Sequence, residues 1–223
     1  MRAGELNPFW RWGLVFAGPL VRLLFRVRVD GLEHVPSSGP AIVAFNHVST
    51  LDGPVLAIET ARRLRRETRY LVAAEYFASR AFGWVLRRTE QIPIRRGEKD
   101  VGALDVALDA IRRGALAGIA PEGHVDLHGG AQGLQRIHSG IARLALPTGA
   151  PVVPVGIWGT QERLPRGGPR FTRPLRPYLA IAFGPPLLPT GDAENPGDVE
   201  AFVQRIRERL EAQVAEARRL TGA

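Results

Sequence analysis

The strongest limit on the fold is an ordered alternation along the chain: short apolar runs separated by stretches with helical spacing. Residues 25–29, 41–45, 70–73, 92–94, 116–120, 152–157 and 179–183 read as strands, bounded by turn signals such as Asp30-Gly31 and the loop at 36–40. Between them, residues 54–66, 76–88, 101–113 and 141–146 read as helices. Val101, Leu104, Leu108 and Ile111 carry the helical repeat in one of these. Residues 160–177, rich in Pro, Gly and Arg, read as a surface loop. Val199, Phe202, Val203, Ile206, Leu210 and Val214 form the stripe of a closing helix, with Gly222 past its end. Strands separated by helices imply an α/β layered domain with a mixed or mainly parallel sheet flanked by helices. A chain of 223 residues supports one sizeable core, and neither a repeat nor an interdomain linker interrupts it. The expected organisation is an amino-terminal segment, 1–26, followed by one domain, 27–223.

That amino-terminal segment, PFWRWGLVFAGPLVRLLFRVRV from Pro8, interleaves apolar residues with Arg11, Arg22, Arg26 and Arg28. Its uncharged run from Trp12 to Val21 is shorter than the roughly 20 apolar residues a spanning helix needs. No small-residue cleavage site follows it, which argues against a signal peptide. Phe9, Trp10 and Trp12 among arginines suit a segment lying in a membrane interface, rings at headgroup depth and cations facing phosphates. The competing reading is a helix that packs its apolar side on the domain itself. A formal net charge of +8 fits an anionic partner, either a phospholipid surface or a phosphorylated substrate. Lys99 is the only lysine, so a compositional skew toward arginine also contributes. Nucleic acid is not expected as a partner, because zinc-finger, basic-heptad and aromatic-strand signatures are all missing. The expected location is peripheral, on the cytoplasmic face of the cell membrane. There is no cysteine, which excludes disulfides, thiolate metal sites and a cysteine nucleophile.

The stretch AFNHVSTLDGPVL places His47 at the end of an apolar run and Asp52 five residues on. Helix-start chemistry accounts for part of it. Ser49 or Thr50 suits a cap, Ser49 with Asp52 matches a capping box, and Asp52 at a helix N-terminus is favoured by the dipole. None of this accounts for His47. Five residues on one continuous helix turn by about 140°, so the pair meets only if a strand ends at His47 and a helix opens at Asp52. The turn then folds the carboxylate onto the imidazole, the arrangement of a general base and its orienting group, where α/β sheets open their crevices. The pattern G-x-S-x-G is absent, so direct deprotonation of a substrate hydroxyl is simpler than a covalent intermediate.

NHVSTLD resembles the N-H-x4-D signature of the glycerolipid acyltransferases. Four further stretches resemble that family in order: the lead-in VRVDGLEHVPSSGPAIVAFNH, then FGWVLRRTEQIPIRRG, then APEG with LQRIHSGIARLA, and finally VPVGI. Together they cover Val27 to Ile157. The resemblance implies transfer of an acyl group from an acyl-CoA or acyl carrier protein thioester to the hydroxyl of a lysophospholipid, with 1-acylglycerol 3-phosphate as the leading acceptor. It implies no cofactor and no metal. His47 would be the base and Asp52 its holder. Arg96, with Arg95, would clamp the acceptor phosphate, and Ser49, Glu122, Gly123 and His124 would belong to the acceptor site.

The third stretch departs from the pattern: Thr-Arg is usual after Glu-Gly, and here His124-Val125 stands instead. His138 also stands where lysine is common. A protonated His124 or Arg136 is the expected substitute contact, and another lysolipid or glycerol 3-phosphate remains open as acceptor. Two readings from other classes are also open. Glu122, His124, Asp126 and His128 alternate, and on an extended strand would present a metal-ligand set for a hydrolase, although Pro121, Gly123, Gly129 and Gly130 favour a loop. A noncatalytic lipid-surface binding protein is the third.

Overall fold

The computed structural model describes residues 6–95 and 101–223. Seven strands, β1 (Arg26–Asp30), β2 (Ala41–Phe45), β3 (Thr68–Ala73), β4 (Ile92–Ile94), β5 (Leu116–Ile119), β6 (Val152–Trp158) and β7 (Tyr178–Phe183), form one sheet in the order β1-β7-β6-β2-β5-β3-β4. Every neighbouring pair is parallel except β6 with β7. The helices are α1 (Pro8–Leu24), α2 (Asp52–Leu64), α3 (Arg80–Arg88), α4 (Val101–Arg112), α5 (Gly140–Thr148) and α6 (Pro196–Thr221). The layered α/β domain expected from the alternation is the one observed.

The central strands are apolar throughout because both faces of the sheet are covered. Along β2, Ala41, Val43 and Phe45 join one core with residues of α1 and α2, while Ile42 and Ala44 join a second with α4, α5 and α6. On this second face the backbones of β6 and α6 come very close. A Cβ on Gly156 would lie 2.0 Å from the carbonyl oxygen of Gln213, so the glycine in VPVGI is a packing requirement.

Two local expectations change. The single helix over 76–88 is a 3-10 turn, Ala74–Ala78, followed by α3. Ser79 separates them, and its side chain caps α3 by accepting from the Phe82 N–H at 3.3 Å. At the amino terminus the core-packing reading describes one side of the helix. Asn7 caps α1 by accepting from the Trp10 N–H, and Trp10 and Val21 enter the core beside α2. The other side of α1 leaves Trp12, Val15, Phe16, Leu20 and Leu23 exposed. These five fall within an arc of about 140° around the helix. Helix α1 is therefore half core and half apolar surface. No helix among the described residues is long and apolar enough to cross a membrane.

Between α1 and α2 lies an ionic knot. Glu59 on α2 is fully buried and accepts from Arg22 at 3.0 Å, Arg62 at 3.1 Å and Arg63 at 3.0 Å. Burial alone would raise this carboxyl, but the three guanidinium groups outweigh it and hold the group below its ordinary value.

Candidate active site

The carboxyl ends of three adjacent parallel strands, β5, β2 and β6, converge on one spot. Residues leaving β2 build its centre. Asn46 remains buried and behaves as one more strand residue: its Nδ2 donates to the Ile157 carbonyl at 3.0 Å, and its Oδ1 accepts from the Ile157 N–H at 2.7 Å. This amide fixes the exit of β2 against β6. The turn that follows is then held from within. The Ser49 N–H donates to Asp52 Oδ2 at 2.7 Å, and Ser49 Oγ accepts from the Leu51 N–H at 3.0 Å while donating to the Leu164 carbonyl at 2.6 Å. Helix α2 opens at Asp52, and the capping position falls on Leu51, which makes no side-chain cap bond. Neither Ser49 nor Thr50 is therefore the cap. Half of the expected capping box is present, with the Asp52 carboxylate reaching back to the Ser49 N–H.

The fold brings His47 and Asp52 together, with Nδ1 at 2.9 Å from Oδ2. Asp52 is fully buried and also accepts from Thr160 Oγ1 at the end of β6 and from Ser49 N. An ionised carboxylate only accepts, so Nδ1 carries the hydrogen and the lone pair of neutral His47 sits on Nε2. The His47 side chain is 17% exposed, and Nε2 has no partner among the described residues. Phe45 packs edge-on to the ring at 5.9 Å between centroids and limits its rotation. The site can thus accept a proton at Nε2 of a held, partly exposed ring while a buried carboxylate stabilises the resulting imidazolium.

Glu122, just past β5, supports the backbone of His47. Its two carboxylate oxygens accept from the His47 N–H at 2.8 Å and the Gln135 N–H at 2.9 Å. Burial pushes its pKa up, and the two backbone N–H bonds draw it only partly back. The His47 carbonyl in turn accepts from the Asp126 N–H at 2.7 Å. Gly123 makes the turn between Glu122 and His124 with φ of 76°, in the left-handed region. Gly123 and His124 are both exposed. Arg95 is exposed just past β4, at the same end of the sheet but three strands from β2, about 14 Å at ordinary strand spacing. Arg96 lies outside the described residues.

The alternation at 122–128 does not produce a strand. The segment is turn and bend, with Glu122 and Asp126 buried but His124 and His128 exposed. Both buried carboxylates are occupied: Asp126 accepts from the N–H groups of His128 and Gly130 and from Gln135 Nε2. No group of three His, Asp or Glu able to hold a metal ion occurs among the described residues.

Sequence reasoning missed Asn46 and Thr160, and it considered Asp126 only as a metal ligand, not as a donor to the His47 carbonyl. A polar residue closing the apolar run of β2 was a usable signal for Asn46. Nothing local marks Thr160, which lies 108 residues from its partner.

A family model described as Acyltransferase matches residues 26–158. An uncharacterized protein of Mycobacterium leprae is 29% identical over 84% of this chain and 59% of its own length. The chloroplastic 1-acyl-sn-glycerol-3-phosphate acyltransferase of Arabidopsis thaliana is 28% identical over 64% of this chain and 39% of its own. The chain thus spans roughly two fifths to three fifths of these curated relatives. The crystal structure of the 1-acyl-sn-glycerophosphate acyltransferase PlsC from Thermotoga maritima superposes with a TM-score of 0.69. It is 22% identical, covering 92% of this chain and 79% of that one, and so shares the fold.

Proposed function

Because the chain belongs to the Acyltransferase family, we propose that it transfers a fatty acyl group from an acyl thioester to the free hydroxyl of a lysophospholipid, with 1-acylglycerol 3-phosphate as acceptor. One observation carries the reading: His47 Nδ1 is tied at 2.9 Å to a fully buried Asp52 while the ring stays partly exposed. Nε2 takes the hydroxyl proton as the acceptor oxygen forms its bond to the thioester carbonyl carbon. The carbon–sulfur bond then breaks, and the imidazolium returns the proton to the departing thiolate. Asp52 holds the imidazolium throughout. The activity for which the Arabidopsis protein is named supports this choice of acceptor.

In this reading Arg95 and Arg96 meet the acceptor phosphate, a task suited to the guanidinium fork. Gly123 and His124, both exposed, are the groups offered to the acceptor, and Glu122 contributes by holding the His47 backbone. Ser49, fully buried, contributes by shaping the turn to Asp52 rather than by touching the acceptor. The exposed apolar arc of α1 seats the protein peripherally on the cytoplasmic face of a phospholipid bilayer, which brings a lipid acceptor to the site without a spanning helix. Acyl-CoA and acyl carrier protein both supply the required thioester. A second reading, a lysolipid with another headgroup, is favoured by His124-Val125 in place of Thr-Arg.

The test is thioester consumption with a panel of lysophospholipids and glycerol 3-phosphate, with His47→Ala as control. Acyl transfer strongest with 1-acylglycerol 3-phosphate and a loss of about 10²–10⁴-fold in the variant are expected. Equal activity of the variant overturns the assignment of the base.

A further inference from the structure

We propose that residues 163–177, the loop between β6 and β7, form a second bilayer-contact element that docks beside α1 on an anionic phospholipid surface. The proposal rests on the reading of α1 as a membrane seat. The loop carries Arg163, Arg166, Arg170, Arg173 and Arg176 and no acidic residue, so its charge complements anionic headgroups. Arg163 is buried and shapes the loop from inside by donating to the carbonyls of Glu162, Thr172 and Pro174. The other four are exposed. Among them stand Phe171 and Leu175, 77% and 75% exposed, the highest values of any large apolar side chains outside the α1 arc. Large apolar tips interleaved with arginines are the composition of an interfacial segment.

Its position supports the same conclusion. Arg176 Nη2 donates to the carbonyls of Arg22 at 2.6 Å and Phe25 at 3.4 Å, clamping the loop to the end of α1. Arg176, Arg22 and Arg62 rim a groove of about 570 Å³ along α1, where Leu14, Gly18 and Leu23 supply apolar walls. The apolar face of α1 and the arginine-rich loop therefore adjoin. At its other end the loop touches the catalytic turn, since the Leu164 carbonyl accepts from Ser49 Oγ. A bilayer contacting both elements would lie beside the site that takes a lipid acceptor.

The experiment is sedimentation of the full chain with phosphatidylcholine vesicles, with and without phosphatidylglycerol. Two double variants are compared with the wild type: Phe171→Ser with Leu175→Ser on the loop, and Phe16→Ser with Leu20→Ser on α1. Each is expected to lose at least about tenfold in affinity for the anionic vesicles, well within what two exposed apolar side chains supply on burial. The chain has no cysteine, so Phe171→Cys provides one thiol for an environment-sensitive fluorophore. Its emission should shift to the blue on anionic vesicles, whereas the same label at Glu208→Cys on α6 should not shift. Wild-type affinity of the loop variant together with an unshifted label overturns the proposal and leaves the α1 reading standing if the α1 variant detaches. Loss in the loop variant with full binding of the α1 variant overturns the α1 reading instead. A wild-type chain that binds no vesicle overturns both. A blue shift without vesicles that grows with protein concentration overturns the lipid occupant in favour of a second copy.

Discussion

Thr160 donates its hydroxyl hydrogen to Asp52 Oδ1, while His47 engages Oδ2 of the same buried carboxylate. The turn just past β6 thus fixes the group that holds the His47 ring, and removing the hydroxyl leaves one oxygen of a fully buried carboxylate without its donor. Thr160→Val should cost about 1–3 kcal/mol of stability. By letting Asp52 and His47 turn, it should lower kcat by roughly tenfold to a hundredfold with little change in KM. Thr160→Ser should restore most of both. Unfolding curves and steady-state kinetics on the three proteins check this, and a purely structural role would leave the kcat of the folded Val variant intact.

The depressed pKa of Glu59 makes the α1–α2 contact acid-sensitive. A carboxyl held below its unfolded value near 4.3 contributes stability above that pH and loses it as pH falls through the folded value. Glu59→Gln should therefore cost about 2 kcal/mol at neutral pH, discounted from the buried-pair range because the three arginines are partly exposed. The difference from wild type should shrink below about pH 4.3. Denaturant unfolding between pH 3 and 7 measures it, and a constant difference would contradict the linkage.

Burial gives Glu122 the opposite sign. Its raised pKa means that its contribution is fullest below the unfolded value and is lost as pH rises through the folded one. Glu122→Gln should remove that slope, so the gap between wild type and variant should narrow from about pH 4 toward neutrality. It should also lower kcat, because an amide nitrogen would face the His47 or Gln135 N–H. The same unfolding series, combined with kinetics, separates the two effects.

Gly156→Ala should destabilise the domain by about 3 kcal/mol, because the added methyl meets the Gln213 carbonyl and α6 must move off the sheet. A thermal melt of the variant checks it. An unchanged midpoint would mean that α6 packs more loosely than the contact implies.

Vesicle binding through the cationic surface should weaken as salt rises from low ionic strength to about 1 M, where the Debye length falls to about 3 Å. Cosedimentation at both salts measures this. Binding that ignores salt would assign the attachment to exposed apolar side chains rather than to the arginines.

Strand and helix identities were readable because their signals are local: period-two or unbroken apolar runs for strands, and helical repeats for α4 and α6. The His47–Asp52 pair was readable for the same reason, since one turn makes it. What could not be read were the partners that reach the site from elsewhere. Glu122 lies 75 residues from His47, and Ile157 lies 111 from Asn46. They meet only because β5 and β6 flank β2, and sheet order is not written in any single stretch. The split of α1 into a core side and an exposed side was hidden similarly, because arginine and apolar residues alternate too closely to indicate which arc faces α2. Ser79 escaped notice because apolar residues stand on both sides of it, at Tyr76, Phe77, Ala81 and Phe82.

The sheet order also bears on how such a protein can diversify. His47, Asp52 and the groups bracing them hang on the three central strands, whereas Arg95 follows β4, an edge strand whose neighbour is β3 alone. Substitutions, insertions or deletions after β4 can therefore accumulate without disturbing the His47–Asp52 pair. Under the proposed function, acceptor choice can then change while the proton-transfer step stays fixed.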